Sequence, residues 1–454
     1  MRQSRLPAFA MALIGLALLA LPAAAAAPAA SFGPPQKVTP FEGFGYEPAV
    51  VVDDYGNIFV TAHKENWQLA LTADVSSPTA TRSMSWMWAS YDNGVTFGDP
   101  PGWTALSLEQ HEFGDEGDLA LDDAGHLYFV DTNVTDDTIT RWATTSRGKV
   151  WFEFNSPLIP TLQAVDDRPW VTAHGDGIVF YFGNEGDKVT YPLGQGTGSG
   201  FGPGRYTVYP SYDGGQTFDS FGYTLNDSGW CRPAADHRPG SKYVYAFCTN
   251  DGGSDDVLTD VNPVGTLWSY VSADDGHTFS RYQAGQYQAL DSTTSWPTVV
   301  VAPDGSVWAV YVDATALDAN DNPVGNRMRL FHSTDHGATW SEQDITAKPG
   351  RYQYGWLAIS RDGKKLGLGI YYKPDAPSPW RVYGAIWKPG QVPTLTSLDE
   401  NNPVTAPGTA TAPGDLMSSS FGPDGKLSVV WTRRAFGVDG VTTVARDIYF
   451  ARSF

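Results

Sequence analysis

Two arginines occupy the same local setting: Arg168 in Asp167-Arg-Pro-Trp170, and Arg232 in Cys231-Arg-Pro233. A planar guanidinium can fork onto a carboxylate or sulfate through two parallel hydrogen bonds. It can equally pair with a carboxylate of its own chain, and Asp118, Asp166 and Asp167 are the available partners. Acid–base chemistry needs two carboxylates, or a tyrosine and a carboxylate, at a fixed separation. Glu47, Asp118 and Asp167 are the catalytic candidates, with Glu116 beside them. Trp296 and Trp356 present ring faces that either stack on sugars or plug a channel. With Arg168 and Arg232 they make up the candidate substrate-binding set.

Metal chemistry has less support. His63, His111, His174 and His237 show no ligand spacing, and Asp318-Ala-Asn320-Asp-Asn322 lacks the glycine and distal glutamate of a calcium loop. Neither a phosphate-cradling glycine loop nor a nucleophile elbow occurs, so no metal and no cofactor are expected. The cysteines number two, Cys231 and Cys248, 17 residues apart. In an exported chain such a pair reads as a structural disulfide across a hairpin.

Export is the reading of the N-terminus. Arg2 and Arg5 precede an apolar stretch from Ala8 to Leu21, and Ala-x-Ala options for cleavage follow between Ala23 and Ala30. Residues 1–27 are taken as a secretory signal and residues 34–454 as one domain, with a secreted or periplasmic destination. The formal charge of −20 repels phosphate backbones and anionic membranes, which argues against nucleic-acid and membrane partners. The partner class left is an extracellular glycan or protein, met by a monomer.

The elements that must hold these residues repeat along the chain. The pattern Ser-x-Asp-x-Gly-x-Thr-aromatic occurs at Ser90–Phe97, Ser211–Phe218, Ser272–Phe279 and Ser333–Trp340, and a worn copy runs from Thr144 to Trp151. The starts at 211, 272 and 333 are 61 residues apart, a repeat architecture. Ser and Asp side chains can bond the turn's own amides while Gly supplies positive φ. These aspartates are therefore structural. A second pattern, strand–turn–strand, recurs seven times with turn glycines Gly56, Gly125, Gly177, Gly240, Gly305, Gly363 and Gly425.

A four-stranded sheet cannot bury both faces alone, and radial packing around a channel solves this. The expectation is an all-β, seven-bladed β-propeller, with six blades as the alternative. The orphan strand Gln36-Lys-Val-Thr39 would close the ring by completing the last blade.

The four turns resemble the Asp-boxes (BNR repeats) of the sialidase-like propellers, and with the worn copies the resemblance covers essentially the whole mature chain. It implies the fold and a ligand face where the inner strands begin. Sialidases of this kind clamp the sugar carboxylate with three arginines, one of them opening the first inner strand. Here that position is Tyr46, followed by Glu47. The resemblance thus implies a carbohydrate-active enzyme, a glycosidase or lyase rather than a true exo-sialidase, or a non-catalytic propeller that binds a glycan or protein.

Overall fold

A computed structural model describes residues 25–38, 44–64, 85–101, 116–132, 138–144, 150–157, 169–185, 205–250, 264–288, 296–317, 323–409, 412, 416–436 and 443–454. The described elements are all β-strands, gathered into antiparallel sheets. Middle strands such as Val244–Thr249 and Leu366–Lys373 are buried along their whole length, because radial packing covers both faces of each sheet. Their near-continuous apolar runs follow from that double burial. All seven turn glycines take φ between 70° and 90°, so each expected hairpin turn is present.

The strand count corrects one expectation. Among the described residues, complete four-stranded blades number six, the alternative count, and not seven. The hairpin Phe44–Val52 and Ile58–Lys64 belongs to a three-stranded sheet with Ser85–Ser90. Among the described residues, its outer position holds one bridge, Ala89 with Gly98. The next residues are Asp99-Pro100-Pro101, and two prolines without amide protons cannot extend a ladder.

The inner strands follow one another around the axis as Phe44–Val52, Glu116–Leu121, Trp170–His174, Cys231–Ala235, Thr298–Val301, Arg351–Ile359 and Ser418–Phe421. Side chains stitch each to the next. The Val171 amide donates to Asp118 at 3.0 Å, the Ala235 amide to the Thr172 hydroxyl at 3.1 Å, and the Leu357 amide to the Thr298 hydroxyl at 3.1 Å. Where the last blade meets the first, the Val50 amide donates to Ser418 Oγ at 3.1 Å. Inner-edge amides would otherwise be buried without acceptors, so these bonds answer the edge problem of each blade.

The ring closes as expected. Gln36 and Lys37 pair with Phe450 and Tyr449 of the final strand, and Lys37 Nζ lies 3.0 Å from Asp447.

The Ser-x-Asp-x-Gly-x-Thr turns share one hydrogen-bond plan. In Ser90–Thr96, the Ser90 hydroxyl donates to Asp92 and accepts from the Gly94 amide, both at 2.8 Å. Asp92 also accepts from the Thr96 amide and hydroxyl at 2.9 and 2.6 Å. The residue before the glycine is itself left-handed in each copy: Asn93, Gly214, Asp275 and His336, all types that tolerate αL. Gly94 must be glycine for a second reason, since a Cβ there would meet the Phe450 ring of the adjacent blade at 2.2 Å.

Candidate functional site: the axial channel and its tryptophan closure

The inner strands enclose an axial cavity of about 830 Å³. Its wall includes Val51, Leu121, Ala234, Val300 and Ile359, one from each of five inner strands, with Ser420 from another. At one end the lining reaches the hairpin turns through Tyr55, Asp123, His237 and Arg361. This is also the end of the Ser-x-Asp turns, since the Gly214 amide donates to Gly177 O at 2.8 Å. Two ties cross the ring here. His237 Nδ1 lies 2.7 Å from Asp123, and Arg361 pairs with Asp54 and donates to Val52 O.

At the other end, where the inner strands begin, four tryptophans close the axis. Trp170 lies 6.0 Å from both Trp296 and Trp356, and Trp230 lies 4.0 Å from Trp296, centroid to centroid. Trp296 and Trp356 are each 6% exposed, packed against Trp170. Arg232 is held between two of these rings, 4.2 Å from Trp170 and 4.5 Å from Trp356. Its guanidinium forks onto Asp118 at 3.0 and 3.3 Å. Asp118 is buried and also takes the Val171 amide. Arg232 is thus paired within the chain.

Glu47 lies within the first inner strand, Phe44–Val52, in a left-handed conformation (φ 48°), at an irregularity of register between Tyr46 and Ala49. Its carboxylate is buried, 3.5 Å from His63 Nε2. The Tyr46 ring sits 5.2 Å from His63 and under the Arg446 guanidinium at 4.4 Å. Tyr354 repeats the device in the inner strand Arg351–Ile359, with φ 55° and a register shift between Gln353 and Trp356. Asp167 and Arg168 lie outside the described residues, as does Asp166; Glu116 starts its strand, but its side chain is not described.

Cys231 and Cys248 are bonded, directly opposite in register with Cα atoms 4.1 Å apart. The bridge fixes the residue next to Arg232.

Sequence reasoning missed Trp230 as part of the closure and His63 as the neighbour of Glu47. The Trp230-Cys231-Arg232 adjacency was the one available signal for the first. Burial perturbs other titratable groups. It pushes the His174 imidazole down and, together with nearby Arg351, Lys373 down to about 8. Ligand atoms of Asp122, His126 and Asp176 lie within 4.8 Å of one another, a geometry that could hold a cation. Asp122 nevertheless spends its oxygens on the Ala124, His126 and Gly177 amides and the Tyr128 hydroxyl, as a turn anchor does.

No family model matches the chain, and no curated protein matches it. Among solved structures it is similar to the GH74 enzyme of Niastella koreensis, with TM-score 0.51 and 15% identity over 88% of this chain and 52% of that one. The chain therefore spans about half the length of that enzyme. A protein of unknown function from Dyadobacter fermentans aligns over 93% of this chain and 99% of its own, with TM-score 0.49 and 13% identity. The intramolecular trans-sialidase of Ruminococcus gnavus aligns over 92% and 97%, with TM-score 0.42 and 11% identity. At such identities the likeness shows a fold. The chain is a β-propeller.

Proposed function

We propose that the chain is an exported, sialidase-like Asp-box propeller that binds an extracellular glycan without cleaving it. The observation that carries this is the state of the axis where the inner strands begin. A glycosidase keeps a pair of carboxylates facing open space, free to exchange protons. Here Asp118 is committed to Arg232 and to the Val171 amide, and Trp296 and Trp356 fill the centre. The glycan as ligand class rests on the resemblance of the four turns and on the kinship of fold with a GH74 enzyme. A glycan array probed with the purified mature chain tests the reading. Retention of at least one glycan family is expected, and an array blank at micromolar protein overturns it.

A catalytic reading draws on one observation, the backbone of Glu47. A left-handed, non-glycine residue held at a register irregularity within a strand costs of order 1–3 kcal/mol, and such strain clusters at functional sites. On this reading Glu47 is the acid–base group and His63 its partner. Loss of product formation in Glu47→Gln, with fold and glycan retention intact, is its test.

A further inference from the structure

We propose, on the export reading, that a signal peptidase cuts the chain between Ala25 and Ala26, and that the residues left from Ala26 onward are a strap over the seam between the last two blades. The sequence offers several small-residue cuts between Ala23 and Ala30. The fold separates them, because the residues on either side of the cut end in different molecules. A discarded leader has no reason to fit the propeller surface, whereas a mature N-terminus does.

The fit is close from Ala26 onward. Ala26 makes a parallel bridge with Val392, and the Ala27 amide donates to Val392 O at 2.9 Å. Thr394 Oγ1 donates to Ala27 O, and Thr396 Oγ1 donates to Ala30 O at 2.8 Å. Thr396–Ser397 is the outermost strand of the blade that begins with Arg351–Ile359, so the start of the chain lies along a sheet edge and covers it. Ala27 is 4% exposed and belongs to the core cluster that holds Ile345 and Trp387. The segment then crosses to the last blade. Phe32 bridges Ser453 of that blade, while its ring lies 2.6 Å from where a Cβ on Gly384 of the preceding blade would stand. The Phe454 amide donates to Ser31 O at 3.0 Å and the Gly33 amide to Arg452 O at 2.9 Å, and the closing pairs of Gln36 and Lys37 follow. A chain start is ordered where it is tied down, and this one is tied to two blades in turn.

The three downstream options differ in what they leave. A cut after Ala27 or after Ala29 discards the Val392 bridge, the acceptor of Thr394 and the buried Ala27 methyl together. A cut after Ala25 keeps all three and loses Ala25 O, which accepts the Val392 amide at 3.2 Å. Ala23 and Ala25 then supply the small residues at the third and first positions before the bond. Water adds across the Ala25–Ala26 peptide bond: the leader departs with the Ala25 carboxylate, and Ala26 keeps the amine, which takes up a proton.

The test is intact mass and N-terminal sequencing of the protein exported by a host that makes the full chain. Ala26 is the expected first residue, and any other first residue overturns the assigned cut. A full chain that is never cut overturns the export reading itself. Ala27→Leu separates the cut from the strap. Processing should be unchanged, since Ala27 lies beyond the bond, and the thermal midpoint should fall by about 2 °C or more, because the buried methyl leaves no room for a larger group. Ala29→Leu, at an exposed position, should alter neither. Blocked processing in Ala27→Leu overturns the cut, and a midpoint as high as that of the parent overturns the strap.

Discussion

Arg232 and Asp118 pair across the axis with a whole inner strand, Trp170–His174, between their own strands, and Asp118 binds that intervening strand at the Val171 amide. Three consecutive blades are thereby tied at one buried carboxylate. The guanidinium side chain is 15% exposed and the carboxylate 1%. Arg232→Ala strands that carboxylate without its counter-charge, and the expected loss is about 3–5 kcal/mol, read from denaturant midpoints. Arg232→Lys should recover little, because one ammonium reproduces neither the fork nor the stacking on two indoles. A loss below about 1 kcal/mol would show that the pair is incidental.

The disulfide is expected to matter through the unfolded chain. Cys231 and Cys248 close a loop of 17 residues, for which the entropic model gives about 3 kcal/mol. The double variant Cys231→Ser/Cys248→Ser should unfold at correspondingly lower denaturant, with glycan retention unchanged under native conditions.

Acid should weaken the fold in part through His174. Burial lowers its affinity for protons, against the opposing pull of Asp275, whose Oδ1 lies 3.5 Å from Nε2. The unfolded chain therefore takes up a proton more readily than the folded one. Stability conferred by the neutral ring is whole above the ordinary histidine range and falls as pH drops through it. Lys242, His237, Asp123 and Asp236 surround the pair. Proton NMR should place His174 below the ordinary histidine value, and His174→Gln should remove part of the slope of stability between pH 7 and 5. An unchanged slope would assign the acid sensitivity elsewhere.

The turn aspartates titrate lower. Thr339's hydroxyl and then its amide hold Asp335 down to about 2. A depressed carboxylate stabilises the fold above its unfolded value, 3.8, and loses that contribution as pH falls toward 2. Asp335 is almost fully solvated, so the effect is small. Asp335→Asn should flatten stability against pH below about 4 and lower it slightly at neutral pH, measured by thermal midpoints across the acid range.

Local chemistry was legible in the chain and long-range direction was not. The seven turn glycines, the four Ser-x-Asp turns, the cysteine pair and the closing strand Gln36–Lys37 each carry their geometry in a few adjacent residues. The fates of Arg232, Trp296 and Trp356 depend on residues 60 or more positions away, and no spacing tells whether a tryptophan at a strand start points into a channel or out of it. Glu47 and Tyr354 could not be read as left-handed, since neither residue type favours that region.

The proposed activity is retention of a glycan without cleavage. Mass spectrometry of a retained glycan, incubated overnight with the mature chain and then released, tests it most directly. Unaltered chain length and no unsaturated or newly reducing ends are the predicted result. Shortened or unsaturated products that vanish with Glu47→Gln would contradict it and make the chain an enzyme.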